Sequence, residues 1–583
     1  MPASSQFDSS KTNPYLWFAR KYWKFVSLGL ICLAFTNALE VSVPWLIGKA
    51  LDHLAQNSPF EEIAKITGVI AGVTIVLSFF RFLWRIFWAR FHHAVADDLR
   101  NDLFLKYTEL SPSFFQKNKI GKLMSLITND VNAFRVGIGP GFLILVDATF
   151  QTLMIVPIMI AISPDWTWKT LILMPLTPFL IKIVMQKLNK AYTERQEGFS
   201  QVSGVSQEIV SGVRVIKSFA QEDQQTIHFN KFSKAYEQSC NRLALWDSFF
   251  SPAMELPMAL GCVILLLIGI PDVLSGAVTV GAFFSFYQYV QRMMWPMTAF
   301  GISVSHLQEG MSSFRRIEQV LSEVPDILDE GVIELNHLDS LEVRNLSYTY
   351  PGKTEAALKK ISFKVQKGQS LGIVGATGSG KTTLIELLCR LYPVPTGTIL
   401  INGHSIEQIK LSSLRNLIRI VPQDAFLFSQ TVTENLAFSK LKWEMDEIYE
   451  ATKQVRLHDE ILDWPNQYKS IVGERGVNLS GGQKQRMTLA RALIKDSSLA
   501  ILDDTLSAVD GKTEENILQV LKSQLKNTTA IVISHKLASV AWTDQILVLN
   551  NGHLEDSGLH KDLITQSKTY NQLYQMQISG GAV

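Results

Sequence analysis

Six long apolar segments, at about residues 24–50, 64–90, 138–162, 165–189, 246–271 and 279–305, fill the first half of the chain. Each reaches the roughly 20 residues that a helix needs to cross the hydrocarbon core of a bilayer. In hydrocarbon a backbone N–H or C=O has no water to bond, so segments of this kind are restricted to helices that satisfy their own backbone. Composition agrees: charged residues are only 19% of the 583, against about 25% in an ordinary soluble domain. The first apolar run lacks the short hydrophobic core and small-residue cleavage site of a removable signal, so it is expected to stay as a span.

The connections between segments differ in length and sign. Those after the second and fourth are long and basic, with Arg90, Arg100, Lys117, Lys122 and Arg135 in one and Lys187, Arg195, Arg214, Lys231 and Arg242 in the other. Those after the first, third and fifth are short and mostly acidic, with Asp52, Glu61, Glu62, Asp165 and Asp272. The excess of Lys and Arg predicts a multi-pass membrane protein with both termini and both long loops in the cytoplasm.

Glu40, Arg81, Arg85, Asp147, Lys182, Glu255 and Arg292 lie in or near the expected spans. An ionisable group at membrane depth marks a functional site by default, although helices that run on into the cytoplasm keep such charges in water. "NPYLWFARKYWKF" (Asn13 to Phe25) suits either a helix lying in the membrane interface or the aromatic and basic anchor of the first span. A net charge of +2 gives no electrostatic footprint for nucleic acid. The four cysteines, Cys32, Cys240, Cys262 and Cys389, form no CxxC pair, and so indicate neither zinc nor a disulfide framework.

Past residue 310 the pattern changes. The expected organisation is a transmembrane domain at 1–310, a linker at 311–340 and a soluble domain at 341–583. In the last of these the apolar runs "LGIVG", "LAILDD", "AIVISH" and "QILVL" alternate with helical patterns, which predicts an α/β domain with a largely parallel sheet. "LGIVG" runs into "GATGSGKTT": Gly375, Ala376, Thr377, Gly378, Ser379, Gly380, Lys381, Thr382 and Thr383. Strand, glycine loop and helix in this order are a P-loop, whose backbone N–H groups and helix N-terminus cradle the phosphates of ATP. Lys381 is then expected on the β- and γ-phosphates and the Thr382 hydroxyl on Mg²⁺. Asp503, at the end of "LAILDD", is the expected second Mg²⁺ ligand.

Leu479, Ser480, Gly481, Gly482 and Gln483 ("LSGGQ") stand just before a helical pattern, where free N–H groups make an anion-binding end. Together these motifs resemble those of the ATP-binding cassette (ABC) exporters, in the half-transporter form that fuses one six-span domain to one nucleotide-binding domain. The resemblance covers essentially the whole chain. It implies an ATPase coupled to transport, in which two nucleotide domains close head to tail on ATP. Each ATP site then joins one subunit's P-loop to the other's LSGGQ, and the membrane halves switch from inward- to outward-facing.

Further roles follow from the same resemblance. Tyr350, on pattern alone a sheet-packing tyrosine, matches the aromatic residue that stacks on adenine. Gln423 matches the glutamine that touches Mg²⁺ and faces the membrane-domain contact. Asp510 matches the D-loop, and His535 matches the switch histidine at the γ-phosphate. "SFFQKNKIGKLMSLITNDVNAF" and "IKSFAQEDQQTIHF" resemble the loops whose short helices couple the two domains. The family's catalytic glutamate, however, is replaced by Asp504.

One methylene fewer shortens the reach by roughly 1.5 Å, and a misplacement of about 1 Å can cost on the order of a hundredfold in rate. A weak own site beside an intact LSGGQ resembles the non-consensus, Mdl-like subunit of heterodimeric bacterial multidrug exporters. A heterodimer is accordingly favoured over a homodimer. The Met- and aromatic-rich "FFSFYQYVQRMMWPM" (Phe283 to Met297) suits repacking around varied apolar ligands. Efflux of hydrophobic or amphipathic small molecules is the first expectation. A lipid or glycolipid flippase and an ATP-gated regulator or channel are the alternatives.

Overall fold

The computed structural model describes residues 13–580, apart from 173, 474, 475, 507, 508, 510, 526 and 527. Two compact units emerge: one holds the chain to Glu109 and from Asn118 to Glu323, the other Leu110–Lys117 and the chain from Val324.

The first unit is entirely helical among its described residues. Trp23–Ala55, Phe60–Glu109, Ile120–Ile162 and Glu222–Leu274 are each long and apolar enough to cross a membrane. The fourth and sixth expected spans are interrupted helices, Pro164–Leu171 with Leu176–Ser211 and Val280–Arg292 with Met294–Leu321. Each break lies just before a proline, Pro175 or Pro296, which has no N–H to offer the carbonyl of Leu171 or Arg292 four residues back, whereas Pro44, Pro157 and Pro257 sit inside unbroken helices. The basic connections are largely continuations of the apolar helices. Phe60–Glu109 alone runs 50 residues.

Polar pairs fix the helix ends. Thr279 caps Val280–Arg292, its hydroxyl accepting from Ala282 N–H at 3.1 Å. The Asp52 carboxylate, at the end of the first long helix, accepts from the Thr279 hydroxyl at 2.9 Å and Gly281 N–H at 2.7 Å. A carboxylate at a helix N-terminus is favoured both by the free N–H groups and by the dipole. Of the two short loop helices, Pro112–Lys117 and Val213–Ser218, the first groups with the second unit, where the Ser113 hydroxyl donates to Asp326.

The second unit is α/β. Its strands are β1 (Ser340–Tyr348), β2 (Leu358–Gln366), β3 (Ser370–Gly375), β4 (Ile399–Ile401), β5 (His404–Ser405), β6 (Ile418–Val421), β7 (Leu499–Asp503), β8 (Thr529–Ile533), β9 (Gln545–Asn550) and β10 (His553–Gly558). The antiparallel sheet runs β2-β1-β4-β5, and the larger sheet runs β10-β9-β3-β8-β7-β6. In the latter β9, β3, β8, β7 and β6 are parallel and only β10 is reversed. β3, β7 and β8 are buried along their whole length, which is why they read as unbroken apolar runs instead of alternating ones.

Candidate functional site

Parallel register gathers the motifs at one sheet edge. Ile373 of β3 lies beside Ile533 of β8, Asp503 of β7 beside Ile533, and Val421 of β6 beside Leu502. The segments that leave these strands, the P-loop, Asp504, Ser534–His535 and Pro422–Gln423, therefore start next to one another. The carboxyl edge of an open parallel sheet is where ligands bind.

The P-loop turns because its glycines can. Gly380 has φ +101°, and a Cβ there would stand 2.8 Å from the Ala357 carbonyl oxygen. Gly375 has φ +157°, with the Ser379 hydroxyl 2.7 Å from where a Cβ would be. Gly380 opens the helix Lys381–Leu388. Ala376, Thr377 and Gly378 are exposed, as is Thr382 in the first helical turn. Lys381 is buried, and its ammonium donates to the Gly375 and Ala376 carbonyls, both at 2.9 Å, and to the Ser379 hydroxyl at 3.4 Å. Burial lowers its pKa, opposed by the negative charges of Asp503 and Asp504 nearby. The loop thus holds a cation against its own carbonyls, where it is available to anionic phosphate.

Asp503 is only 5% exposed. Burial first, and then the charge of Asp504, push its carboxyl up to about 6, with Lys381 pulling the other way. A buried carboxylate whose charge is so poorly compensated is suited to a divalent cation, and oxygen donors are what Mg²⁺ takes. The residues at this edge therefore fit ATP with Mg²⁺. Gln423 is exposed just beyond β6.

Asp504 sits in the left-handed region at φ +46°, which aspartate tolerates better than most residues. Its N–H donates to the Ile533 carbonyl at 2.9 Å, and its carboxylate receives the His535 N–H at a long 3.4 Å. The carboxylate is thus turned toward the loop that carries His535, whose ring position is exposed. Gln577 spans the same loop from the C-terminal helix. Its amide donates to the His535 carbonyl at 2.6 Å and accepts from Leu537 N–H at 2.9 Å.

Tyr350 follows β1 and leans on the P-loop helix. Its hydroxyl meets the Thr383 hydroxyl at 3.0 Å and the Glu386 carboxylate at 2.7 Å. Edge-on contacts with Tyr348 and Tyr392, both at 5.3 Å, set the plane of the ring. Burial, with the Glu386 carboxylate beside it, holds the phenol above its ordinary range.

LSGGQ opens the helix Gly481–Ile494 through a capping box. The Ser480 hydroxyl accepts from Gln483 N–H at 3.2 Å, and the Gln483 side chain accepts from Ser480 N–H at 2.9 Å. Glu460 anchors this turn, accepting from the Gln483 amide at 2.9 Å and gripping Arg486 through two N–H groups at 2.7 and 3.1 Å. Arg486 also reaches the carbonyls of Arg456 at 2.5 Å and Gly482 at 3.4 Å. Leu479 is half-buried, whereas Ser480 and Gly481 are exposed. Asp510 lies outside the described residues.

Sequence reasoning missed Glu386, Glu460 and Gln577. No local pattern marks them, since each acts on a motif through a contact distant in sequence: Glu460 is 26 positions from Arg486 and Gln577 is 42 from His535.

Comparison with known proteins agrees over both units. The family described as "ABC transporter transmembrane region" matches residues 26–297, and that described as "ABC transporter" matches 358–507. A probable multidrug resistance ABC transporter ATP-binding/permease protein of Bacillus subtilis, YheI, is 34% identical over 96% of this chain and 96% of that protein. The multidrug resistance-like ATP-binding protein MdlA of Escherichia coli is 32% identical over 96% of this chain and 95% of that protein. The solved structure of a bacterial Atm1-family ABC exporter with ATP bound has the same fold, with a TM-score of 0.76 at 23% identity over 95% of this chain and 98% of that one.

Proposed function

The chain belongs to the ABC transporter family, as a membrane-spanning exporter with its own ABC ATPase domain, and on that premise we propose that it is one half of a heterodimer that drives hydrophobic or amphipathic small molecules out of the cell. Residues 1–310 form the translocating domain, 311–340 the linker and 341–583 the ATPase domain. The whole is set in the cytoplasmic membrane with both termini and the ATPase domain inside.

In this reading Gly375–Thr383 hold the phosphates and Tyr350 stacks on adenine. Thr382, Asp503 and Gln423 hold Mg²⁺, which when bound offsets phosphate charge. His535 contacts the γ-phosphate. Leu479–Gln483 and Asp510 serve the composite sites shared with the second subunit. Asp504 occupies the position of the base that orients the attacking water.

One observation carries the heterodimer: Asp504, short by a methylene and turned to the His535 backbone, belongs to a chain whose LSGGQ has its cap complete. A base must lie within hydrogen-bond reach of the proton it takes, so the chain's own site binds ATP and turns it over slowly. Its LSGGQ meanwhile completes a fast site on the partner.

Purification from the native membrane followed by mass spectrometry tests this reading. A stoichiometric second half-transporter bearing glutamate at the corresponding position supports it, and a single polypeptide with brisk ATPase activity contradicts it. In vesicles, drug-stimulated hydrolysis with drug uptake supports export. Stimulation by phospholipid alone, or ATP-dependent conductance without vectorial movement, contradicts it in favour of a flippase or a gated channel.

A further inference from the structure

Within the helical unit, a cavity of about 440 Å³ lies between Trp23–Ala55, Phe60–Glu109, Phe142–Ile162 and the broken helix at Arg292–Met294. Three guanidiniums face it, those of Arg81, Arg85 and Arg292, against two carboxylates, Glu40 and Asp147. The acids are already engaged. Glu40 accepts from Arg292 at 3.0 Å on one oxygen and from Arg81 at 3.1 Å on the other. Asp147 accepts from Asn37 at 2.9 Å, Trp295 at 3.0 Å and Gln151 at 3.4 Å.

Donors, by contrast, are in surplus. A guanidinium carries five N–H groups, and Arg81 and Arg292 each give Glu40 one. The Trp84 indole N–H, buried at the same cavity, has no acceptor among the described residues. Leu33, Leu143 and Ile144 supply apolar wall. A net positive, donor-rich cavity among apolar helices is costly unless something completes it, and what completes it must bring negative charge and acceptor oxygens on an apolar body.

We propose that this cavity binds an amphipathic anion, a carboxylate, phosphate or sulfonate head on an apolar body, with Arg81 and Arg292 on the head. The assignment names a substrate class for the exporter and rests on that reading. An anionic lipid headgroup and a free anionic amphiphile share this chemistry.

The test uses the purified full-length chain, with its co-purifying subunit, in phosphatidylcholine nanodiscs. The probes are 11-(dansylamino)undecanoate and the matching dansyl-undecyl trimethylammonium. The anion is expected to bind about tenfold tighter than the cation, the scale of one charge-assisted hydrogen bond. Arg81→Gln and Arg292→Gln should erase that preference. Glu40→Gln should instead tighten anion binding, because it frees both guanidiniums, whereas a purely structural network would loosen. Equal binding of the two probes, or anion binding weakened by Glu40→Gln, overturns the site.

Doping the nanodiscs with phosphatidylglycerol separates the sources, since displacement of the probe makes the occupant a lipid headgroup and indifference makes it a free amphiphile. Both results retain the site. Tight anion binding with ATP hydrolysis and vesicle uptake unmoved keeps the site and rejects export. Drug-stimulated hydrolysis without anion selectivity rejects the site and keeps export.

Discussion

Replacing Glu460 with alanine loosens the LSGGQ turn without touching any residue of the motif. The lost carboxylate held Arg486 through two N–H groups and Gln483 through one. The Arg486 side chain is 11% exposed and that of Glu460 39%, so the pair lies between two regimes. Surface pairs contribute about 0–1 kcal/mol, and breaking a buried one costs about 3–5 kcal/mol. Arg486 keeps its bonds to the Arg456 and Gly482 carbonyls, which places the cost between the two ranges, at about 2 kcal/mol.

A change of that size shifts a two-state balance by up to about thirtyfold, here between a held and a released helix end. In the proposed head-to-tail arrangement, where LSGGQ serves the partner's ATP, kcat of the assembled transporter should fall by up to that factor. ATP affinity at this chain's own P-loop should stay as it was. Glu460→Gln retains an acceptor and should fall between the two. Steady-state hydrolysis gives kcat, and photolabelling with an azido-ATP reads each subunit separately. Unchanged turnover, or a loss of labelling on this chain instead, refutes the reasoning.

Lys381→Ala removes the cation over the P-loop and should weaken ATP binding to this chain by about 1.5–3 kcal/mol, the worth of a hydrogen bond to a charged group; an unaltered titration would remove the phosphate assignment. Tyr350→Ala should cost about 1–3 kcal/mol of ATP affinity, as base–aromatic stacking does, and equal affinity in mutant and parent returns Tyr350 to sheet packing. The raised carboxyl of Asp503 has its own signature: it gains a proton as pH falls through about 6, and the proton competes with Mg²⁺. Mg²⁺-dependent enhancement of ATP binding should therefore fade more steeply between pH 7.5 and 5.5 in the parent than in Asp503→Asn, where the titration of the nucleotide phosphate alone remains; equal slopes contradict it.

Local features carried most of what the sequence revealed. The strand, glycine loop and helix at Ser370–Leu388 are contiguous, and the buried strands β3, β7 and β8 are apolar without a break, so both the P-loop and the parallel sheet were readable. The apolar segments likewise marked the spans, but not the turns that interrupt the fourth before Leu176 and the sixth at Met293. Glu460, Glu386 and Gln577 were invisible because each acts through a side-chain contact that only the fold creates. The left-handed backbone of Asp504 was also beyond reach, since it is set by the turn out of β7 against β8. The pairing of Glu40 with both Arg81 and Arg292 joins three helices, and sequence alone showed only that the charges existed.

Asp504 itself allows the most direct measurement. The chain is reconstituted alone and with its partner half-transporter, and ATP turnover is compared before and after neutralising each candidate carboxylate. Slow hydrolysis by the chain alone, faster with Asp504→Glu, and rapid turnover by the pair that collapses only when the partner's glutamate is neutralised is the predicted result. Brisk hydrolysis by the chain alone that Asp504→Asn abolishes would contradict it, and would make aspartate the catalytic carboxylate of a homodimer.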